Sequence, residues 1–380
     1  MPDEWDENRQ AIVIPKNTSP ERQKELSAFS RKIKKDLQLA HSAAEALEAQ
    51  GDYSSQDLVC RFRELNQGRM FCEYINRKAE SLKAAERFGT AHAYQFAAGS
   101  FYKFLGNKDV RIEKITPGLI KSFEIYLQSE NKSKNTISCY MRSLRAAYNE
   151  ATDESKFFVS KKTKEKPFSK VFTGNAKTRK RAIGAQSIYN LTEVELDEPE
   201  RKKKDSIISL NLSRDMFLFS FYTQGMSFSD MANLKKENIR EKVIRYNRKK
   251  TGQLITIEPE ECMKKIIERY ADSDSEYLFP ILRGVVGEYA KWERIAAALA
   301  IYNKNLKKIA ALAGIDEHLT GYVARHSWAS LASQEGVPIA TISRGMGHES
   351  EKTTRIYISR LDFSDVARAN RQILSKIANP

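Results

Sequence analysis

The chain has 380 residues and a net charge of +15, from 64 Lys and Arg against 49 Asp and Glu. This length suits two or three domains with sizeable cores, and the basic balance favours a polyanionic partner, nucleic acid first, over an acidic protein. No apolar run approaches the roughly 20 residues that span a bilayer. The acidic start, MPDEWDENRQ, is unlike a signal peptide. Composition therefore predicts a soluble, cytoplasmic protein and argues against a membrane protein.

Neither a metal nor a disulfide framework is indicated by the residue types that usually provide one. The chain has no P-loop, no HExxH pair and no cluster of metal-type carboxylates. Its cysteines are widely spaced without a CxxC pair, which predicts free thiols in a reducing cytoplasm; they are Cys60, Cys72, Cys139 and Cys262.

Residues 1–66 are predicted to form an accessory region built on one long helix. Ser19 is a favourable N-cap, Pro20 suits the first helical position, and Gly51 lies just beyond the expected end. Apolar positions between these signals are sparse among many charges. A surface helix is therefore indicated.

Residues 67–156 show helical periodicity, and turn signals divide them into four short helices. The last helix begins near Asn135, and one face carries apolar residues that are most simply core. The turn signals are Gly89, Gly106–Asp109, Thr116–Gly118 and Asn131–Lys134, and the apolar face consists of Ile137, Tyr140, Met141, Leu144 and Tyr148.

Residues 157–181 are predicted to be a basic linker. Between Lys156 and Arg181 lie ten Lys or Arg and a single acid, Glu165, without helical apolar periodicity. A charge run is usually only a solvated segment, as we interpret residues 201–204. A run that joins two globular parts of a basic protein is, however, well placed to follow a DNA backbone.

Residues 182–380 are predicted to be rich in helix with one β-hairpin. Val243–Tyr246 and Leu254–Ile257 flank a polar turn that contains Lys250. The predicted fold class is mainly α with a small β-hairpin or sheet (α+β). Apolar residues at near-helical spacing between Phe363 and Ile377 predict a terminal amphipathic helix. A helix-turn-helix reader around Gly336 is an alternative that the following motifs disfavour.

An ordered set of motifs resembles the signature of the tyrosine recombinase family. It consists of Ala324 through Trp328, then Met346 through His348, then Tyr357 nine positions after the histidine. Lys250 in its hairpin turn and the segment from Gly225 through Asp230 resemble further parts of the family pattern. The resemblance covers roughly residues 70 to 380 and is strongest to integrases of bacterial conjugative elements. Each residue alone has an ordinary structural explanation, but the ordered set is far more specific.

The resemblance implies that Tyr357 attacks a DNA phosphate and forms a 3′-phosphotyrosine bond. Arg325 is then expected to donate two parallel hydrogen bonds to the charge of the transition state. His348 is expected to donate to a phosphate oxygen, and Lys250 to protonate the departing 5′ oxygen. A tyrosine with an ordinary pKa of about 10 must lose its proton as it attacks. This chemistry needs neither metal nor nucleotide, so no cofactor is expected.

The chain departs from the family pattern at two positions. Ser227 stands where the family places its first catalytic arginine, as it does in some integrases of conjugative elements. Tyr322 stands three residues before Arg325, where histidine is common; its hydroxyl can still donate to phosphate. We hypothesise that Gln224 partly substitutes for the missing arginine. The residues expected to support the site from behind are His326 and Asp230.

The resemblance also implies an architecture and partners. A helical, SAM-like core-binding domain (67–156) and a mixed catalytic domain (182–380) are expected to close on the duplex as a C-shaped clamp. The expected partners are double-stranded DNA with paired sites, further copies in a homotetramer assembled on DNA from free monomers, and an accessory DNA-bending protein. The terminal helix is expected to dock on a neighbouring protomer or, alternatively, within its own chain. Expected DNA contacts are Lys134, Asn135, Thr136, Arg142, Arg145, Arg179, Lys180 and Arg181.

Other functions remain open on the sequence. A recombinase-like protein that binds DNA without cutting it is one, and a type IB topoisomerase is another, although the motif spacing favours recombination. Inversion and dimer resolution use the same chemistry as integration. Ser227 and the N-terminal helix favour integration of a mobile element.

Overall fold

The computed structural model describes residues 4–6, 11–15, 18–49, 51–67, 70–154, 166–176, 182–196 and 208–358. The chain divides into two compact units, Met1–Ala176 and Lys177–Pro380. Within the described ranges, no helix is long and apolar enough to cross a membrane. The predicted terminal helix and the basic run 201–204 lie outside these ranges.

The first unit begins with two short antiparallel strands and a long helix, α1, capped by Ser19 as predicted. A second helix, α2, packs against α1. The sequence interpretation of residues 1–66 missed α2, although Ser54 and Asp57 form a reciprocal capping arrangement at its start. These elements are β1 (Trp5–Asp6), β2 (Ala11–Ile12), α1 (Pro20–Glu48) and α2 (Ser55–Gln67).

Four helices form the core of the first unit, as the turn signals predicted. The first break differs: it lies at residues 85–87, where Glu86 adopts a φ of 57°, and Gly89 is the second residue of the next helix. A single 3₁₀ turn, Ile112–Lys114, precedes the third helix. The helices are α3 (Phe71–Ala84), α4 (Phe88–Phe104), α5 (Pro117–Ser129) and α6 (Lys134–Glu154).

The core of this unit is apolar and aromatic. The Phe101 and Phe123 rings meet edge to face with centroids 4.9 Å apart, and Phe71 meets Phe101 in the same way. The predicted apolar face of α6 is buried, apart from the partly exposed Tyr140. This packing is what the hydrophobic periodicity required.

Residues 166–176, which were predicted as part of the linker, are hydrogen-bonded to α5 and α6. The buried Glu124 carboxylate accepts from the Phe172 N–H at 2.8 Å. The Asn135 amide binds both backbone groups of Ala176, and the Ser138 hydroxyl donates to the Gly174 carbonyl. This part of the basic segment is therefore an ordered strip along the first unit.

The second unit surrounds one small sheet with helices. The predicted hairpin is present as β4 and β5, and a short strand, β3, extends it into a three-stranded antiparallel sheet in the order β3-β4-β5. The mainly helical class with a small sheet is thus confirmed. The strands are β3 (Ile239–Arg240), β4 (Val243–Asn247) and β5 (Leu254–Ile257), and a 3₁₀ turn, Lys236–Asn238, precedes them.

The central helix of this unit, α8, is buried on most sides and packs against α7, α9, α10, α11 and α12. It ends at Tyr222, and the chain then reverses through Gln224 and Gly225, both with positive φ. The helices are α7 (Ala185–Glu193), α8 (Leu210–Tyr222), α9 (Phe228–Ala232), α10 (Glu261–Tyr270), α11 (Glu288–Leu312), α12 (Gly321–Gln334), α13 (Ile339–Gly345) and α14 (Glu351–Thr354).

Candidate active site

Tyr357 lies three residues after the end of the short helix α14, and its backbone is hydrogen-bonded to α12. Its N–H donates to the Thr354 carbonyl at 2.9 Å. Its own carbonyl accepts from the Ser330 hydroxyl at 3.3 Å and faces His326 Nδ1 at 3.4 Å. The side chain is half-buried against a small apolar cluster of Ala329, Ile342 and Met346. The predicted nucleophile therefore has a fixed position.

Four of the other predicted site residues surround the Tyr357 ring. The His348 ring centroid lies 5.0 Å away and that of His326 4.7 Å away. Tyr322 stacks at 6.2 Å with an interplanar angle of 24°. The Arg325 guanidinium carbon lies 5.5 Å from the ring centroid, a cation–π contact. The fold thus brings together residues that the sequence separates by up to 35 positions.

Arg325 is only 4% exposed, and backbone carbonyls hold its guanidinium. Nη1 donates to the Gly225 carbonyl at 2.6 Å, and Nη2 donates to the Met346 carbonyl and contacts His348 Nε2 at 2.9 Å. Nε is buried and has no hydrogen-bond partner in the described part of the chain. These contacts thus occupy three of the five N–H groups of this cation and leave the buried Nε–H unpaired.

Gly225 is the residue that lets Arg325 reach this position. Its φ is +87°, and a Cβ there would lie 2.5 to 2.9 Å from the Arg325 side chain and Cα. No side chain fits into that space. The motif resemblance included Gly225, but only the fold shows that this glycine makes room for Arg325.

His348 is neutral in this arrangement. An arginine only donates hydrogen bonds, so Nε2 accepts from Arg325, and Nδ1 carries the proton that is shared with the Thr354 hydroxyl at 2.9 Å. Burial, followed by the charges of Arg325 and Arg248, lowers the pKa of His348 to about 4. The expected donation to a phosphate oxygen requires Nε2 to gain a proton, which a nearby phosphate anion would favour.

Tyr357 is protonated at neutral pH. Burial, followed by the charge and hydrogen bonding of the neighbouring Tyr322, raises the pKa of Tyr357 to about 12, while Arg325 acts in the opposite direction. For the predicted role as nucleophile, ionisation in advance of attack is therefore unfavourable, and the proton has to leave as the oxygen attacks.

Lys250 lies in the turn between β4 and β5, where it was predicted, with an exposed side chain. Its charge acts on His348 and lowers the pKa of that ring. The neighbouring Lys249 N–H donates to Asp230 Oδ1 at 2.9 Å. This bond ties the hairpin turn to the start of α9.

Ser227 caps α9 instead of presenting a cation. Its hydroxyl accepts from the Asp230 N–H at 3.2 Å and donates to Asp230 Oδ2 at 2.7 Å. The Asp230 carboxylate thus bridges Ser227 and the hairpin, a geometry that suits the predicted supporting role. The Gln224 side chain lies beside Gly345, where an added Cβ would come 2.7 Å from Gln224 Oε1.

Sequence reasoning did not single out two residues of this site, Arg248 and Thr354. Arg248 is 7% exposed, and its Nη1 donates to the Gly347 carbonyl at 2.5 Å. A signal was available, because Ile244 and Tyr246 point inward on β4 and period-two alternation continues that face to residue 248. Thr354, fully buried, sets the proton on His348.

The residues of α6 that were predicted to contact DNA differ in side-chain exposure and in their hydrogen bonds within the protein. Lys134, Arg142 and Arg145 are exposed, although the Arg145 guanidinium also reaches the Thr173 hydroxyl at 3.4 Å. Asn135 is bonded to Ala176, and Thr136 shares its hydroxyl with Ser133. The predicted contacts outside the described residues are Arg179, Lys180 and Arg181.

No group of three or more His, Cys, Asp or Glu in the described ranges is arranged to hold a metal ion. Cys72, Cys139 and Cys262 are free thiols. The expectation that the reaction needs no cofactor stays a prediction.

Comparison with known sequence families gives two matches. Residues 70–168 match the phage integrase SAM-like domain, and residues 200–362 match the phage integrase family. The chain is similar to tyrosine recombinase XerA of Thermococcus onnurineus, with 28% identity over 63% of this chain and 89% of the relative. It is also similar to tyrosine recombinase XerD of Listeria monocytogenes, with 22% identity over 74% of this chain and 93% of the relative.

Solved structures share the fold at low sequence identity. A lambda integrase dimer bound to a COC′ core site matches 76% of this chain and 95% of its own, with a TM-score of 0.56 and 14% identity. The Tn1549 transposon integrase in complex with transposon right end DNA matches 80% of this chain and 99% of its own, with a TM-score of 0.53 and 16% identity.

Proposed function

The chain belongs to the phage integrase family, the tyrosine recombinases, and we propose that it integrates and excises a mobile DNA element through a 3′-phosphotyrosine intermediate. As a member it is an enzyme of the site-specific tyrosine recombinase class. One observation carries the mechanism. The ring centroid of the half-buried Tyr357 lies 5.5 Å from the guanidinium carbon of the buried Arg325 and 5.0 Å from the His348 ring centroid.

The proposed cleavage step is an in-line displacement at phosphorus. The Tyr357 oxygen forms a bond to the scissile phosphorus and releases its proton to solvent, while the bond to the 5′ oxygen breaks and that oxygen takes up a proton. Arg325 stabilises the negative charge that grows on the other phosphate oxygens, because its carbonyl contacts hold the cation in place before the reaction. The phosphotyrosine bond conserves the phosphodiester energy, so attack by another 5′ hydroxyl rejoins the DNA.

Lys250 is the proposed acid for the departing 5′ oxygen. It is exposed in the β4–β5 turn, close enough for its charge to act on His348. A lysine ammonium is protonated at neutral pH and can supply a proton to an alkoxide. Tyr322 is proposed to hydrogen-bond the nucleophile or a phosphate oxygen.

The proposed substrate is double-stranded DNA with paired recombination sites. The net charge of +15 suits a polyanion, and the related structures include integrases bound to core-site and transposon-end DNA. On this proposal residues 67–156 bind the site, residues 182–380 carry the chemistry, and four copies assemble with an accessory DNA-bending protein. Integration is favoured over inversion and dimer resolution by the resemblance to transposon integrases.

The test is formation of a covalent adduct. The full chain is incubated with nicked duplexes that span the junctions of the DNA segment carrying its coding sequence, and SDS-stable protein–DNA species are measured. We expect an adduct for the wild type and for Tyr189→Phe, an exposed tyrosine of the same unit, and none for Tyr357→Phe. An adduct that survives Tyr357→Phe would reject the assignment of the nucleophile.

A second candidate function is DNA binding without cleavage, which the serine at position 227 favours. Specific, salt-sensitive binding of the same junction duplexes without any adduct would support it over the proposed enzyme activity. Recombination products distinguish the remaining alternatives, since integration joins two molecules whereas inversion and resolution act within one.

A further inference from the structure

A second buried guanidinium, that of Arg248, lies beside the candidate active site and has no role in the cleavage step described above. Arg248 follows β4, and its backbone closes the hairpin: its N–H donates to the Gln253 carbonyl at 2.9 Å, and its carbonyl accepts from the Gly252 N–H at 2.8 Å. The side chain is 7% exposed. The Arg248 backbone is therefore held in place, and its guanidinium is buried.

Arg248 points to the same loop as Arg325. Its Nη1 donates to the Gly347 carbonyl, and Arg325 Nη2 donates to the carbonyl of the preceding residue, Met346. A Cβ on Gly347 would lie 2.8 Å from Arg248 Cδ, so the side chain passes directly over that glycine. The two cations thus both contact the backbone segment that directly precedes His348.

The two guanidinium groups lie close together without a compensating carboxylate. Neither makes an ion pair in the part of the chain that the structure describes. Burial, and then the charge of Arg248, lowers the pKa of Arg325, and both arginines lower the pKa of His348. Burying two like charges costs free energy unless an anion binds between them. The unpartnered Nε of Arg325 is a second sign of an anion site.

We propose that Arg248 binds the scissile phosphate together with Arg325 and supplies the cation that Ser227 does not. The residues nearer in sequence carry no charge: the Ser227 hydroxyl is hydrogen-bonded to Asp230, and Gln224 is a neutral amide with its Oε1 beside Gly345. An arginine on the hairpin reaches the site from the sheet side rather than from the start of α9. This inference rests on the proposed strand-transfer function and names a further catalytic residue for it.

The first test needs no knowledge of the DNA target. Binding of orthovanadate, a phosphate-like anion, to the full chain is measured by calorimetry for the wild type, Arg248→Met and Arg245→Met. Arg245 is the matched control, because it lies on β4, three residues before Arg248, with its side chain 51% exposed. We expect binding at least about tenfold weaker for Arg248→Met alone, as loss of one charge-assisted contact predicts. Equal affinity in the two variants would overturn the proposal.

The second test separates phosphate binding from a structural role in holding the Gly347 loop. Adduct formation is compared on a duplex with a normal scissile phosphate and on one with an uncharged methylphosphonate at that position. Loss of a fixed donor to the transition state predicts a decrease of about 100-fold or more on the phosphodiester and similar rates for wild type and Arg248→Met on the methylphosphonate. Equal losses on both substrates would mean a structural role and reject the proposal.

Two further variants keep the answer clear. If Arg248→Met does not fold, Arg248→Lys is used instead, because it retains the charge. We expect this variant to bind vanadate more weakly than the wild type while its circular dichroism spectrum stays unchanged. Wild-type affinity in Arg248→Lys would count against a specific guanidinium contact. In the double variant Ser227→Arg with Arg248→Met, partial return of cleavage is expected. If the wild type binds vanadate through Arg248 but forms no adduct, the proposed function fails while the anion site stands.

Discussion

Phe123 in the first unit and Arg325 in the second are almost equally buried, at 0% and 4% exposed, but their surroundings differ. Phe123 contacts other aromatic rings, with Phe101 at 4.9 Å and Phe104 at 5.3 Å. Arg325 is surrounded by carbonyls, a neutral histidine, a tyrosine ring and a second arginine. The first environment stabilises the fold through apolar burial. The second keeps a charge out of water without an ion-pair partner among the described residues, an arrangement that the proposed binding of a phosphate by Arg325 would explain.

The largest expected effect on stability comes from removing the buried Phe123 ring of the first unit. Phe123→Ala should lower the free energy of unfolding by about 3–5 kcal/mol, because it removes a fully buried ring and leaves a cavity. Urea denaturation followed by circular dichroism measures this. Ile125→Ala, on the same helix with the side chain 56% exposed, is the control and should change stability by about 0.5 kcal/mol or less. Similar losses for both variants would refute the aromatic core as the source of stability.

Arg325→Met tests the other side of the comparison. Removing the buried charge relieves its desolvation, while the two carbonyls it served lose their donor. The opposing effects should leave stability within about 2 kcal/mol of the wild type. Adduct formation should nevertheless fall by about 100-fold or more. A loss of stability as large as that of Phe123→Ala would show that Arg325 is primarily a structural residue.

His348 provides the smallest predicted effect and a pH dependence. Its pKa is about 4 in the folded chain and about 6.5 when unfolded, so the unfolded state binds the proton more readily. The corresponding stability is present above pH 6.5 and is lost as the pH falls toward 4.

Between pH 7.5 and 5.0 this should cost about 1 kcal/mol, after allowance for the partial exposure of the ring. Urea unfolding at the two pH values should show that His348→Gln reduces the pH dependence by that amount. The control is His318→Gln, which removes an exposed histidine; an equal reduction in this variant would show that the effect is not specific to His348. An unaltered pH dependence in His348→Gln would contradict a proton-free ring in the native state.

Much of the fold follows from local patterns. The cap at Ser19, the four core helices and the β4–β5 hairpin are present where capping residues, turn residues and apolar periodicity predicted them. The helix α2 was not predicted, although Ser54 and Asp57 cap its start. The strip of residues 166–176 along α5 and α6 was not predicted, because its attachment depends on side chains distant in sequence, such as Glu124 and Asn135.

The sequence by itself determined the order and residue types of the candidate site: Lys250, Arg325, His348 and Tyr357, and the serine at position 227. Only the tertiary structure decided that Arg248 and Arg325 bind neighbouring carbonyls of one loop, that Gly225 makes room for Arg325, and that Thr354 and Arg325 leave His348 without a proton on Nε2. The physical reason is that charge burial and hydrogen-bond partnership are properties of the packed chain. A motif names the residues, but the dielectric environment and the neighbours that set their protonation come from segments up to 100 residues apart, such as Gly225 and Arg325.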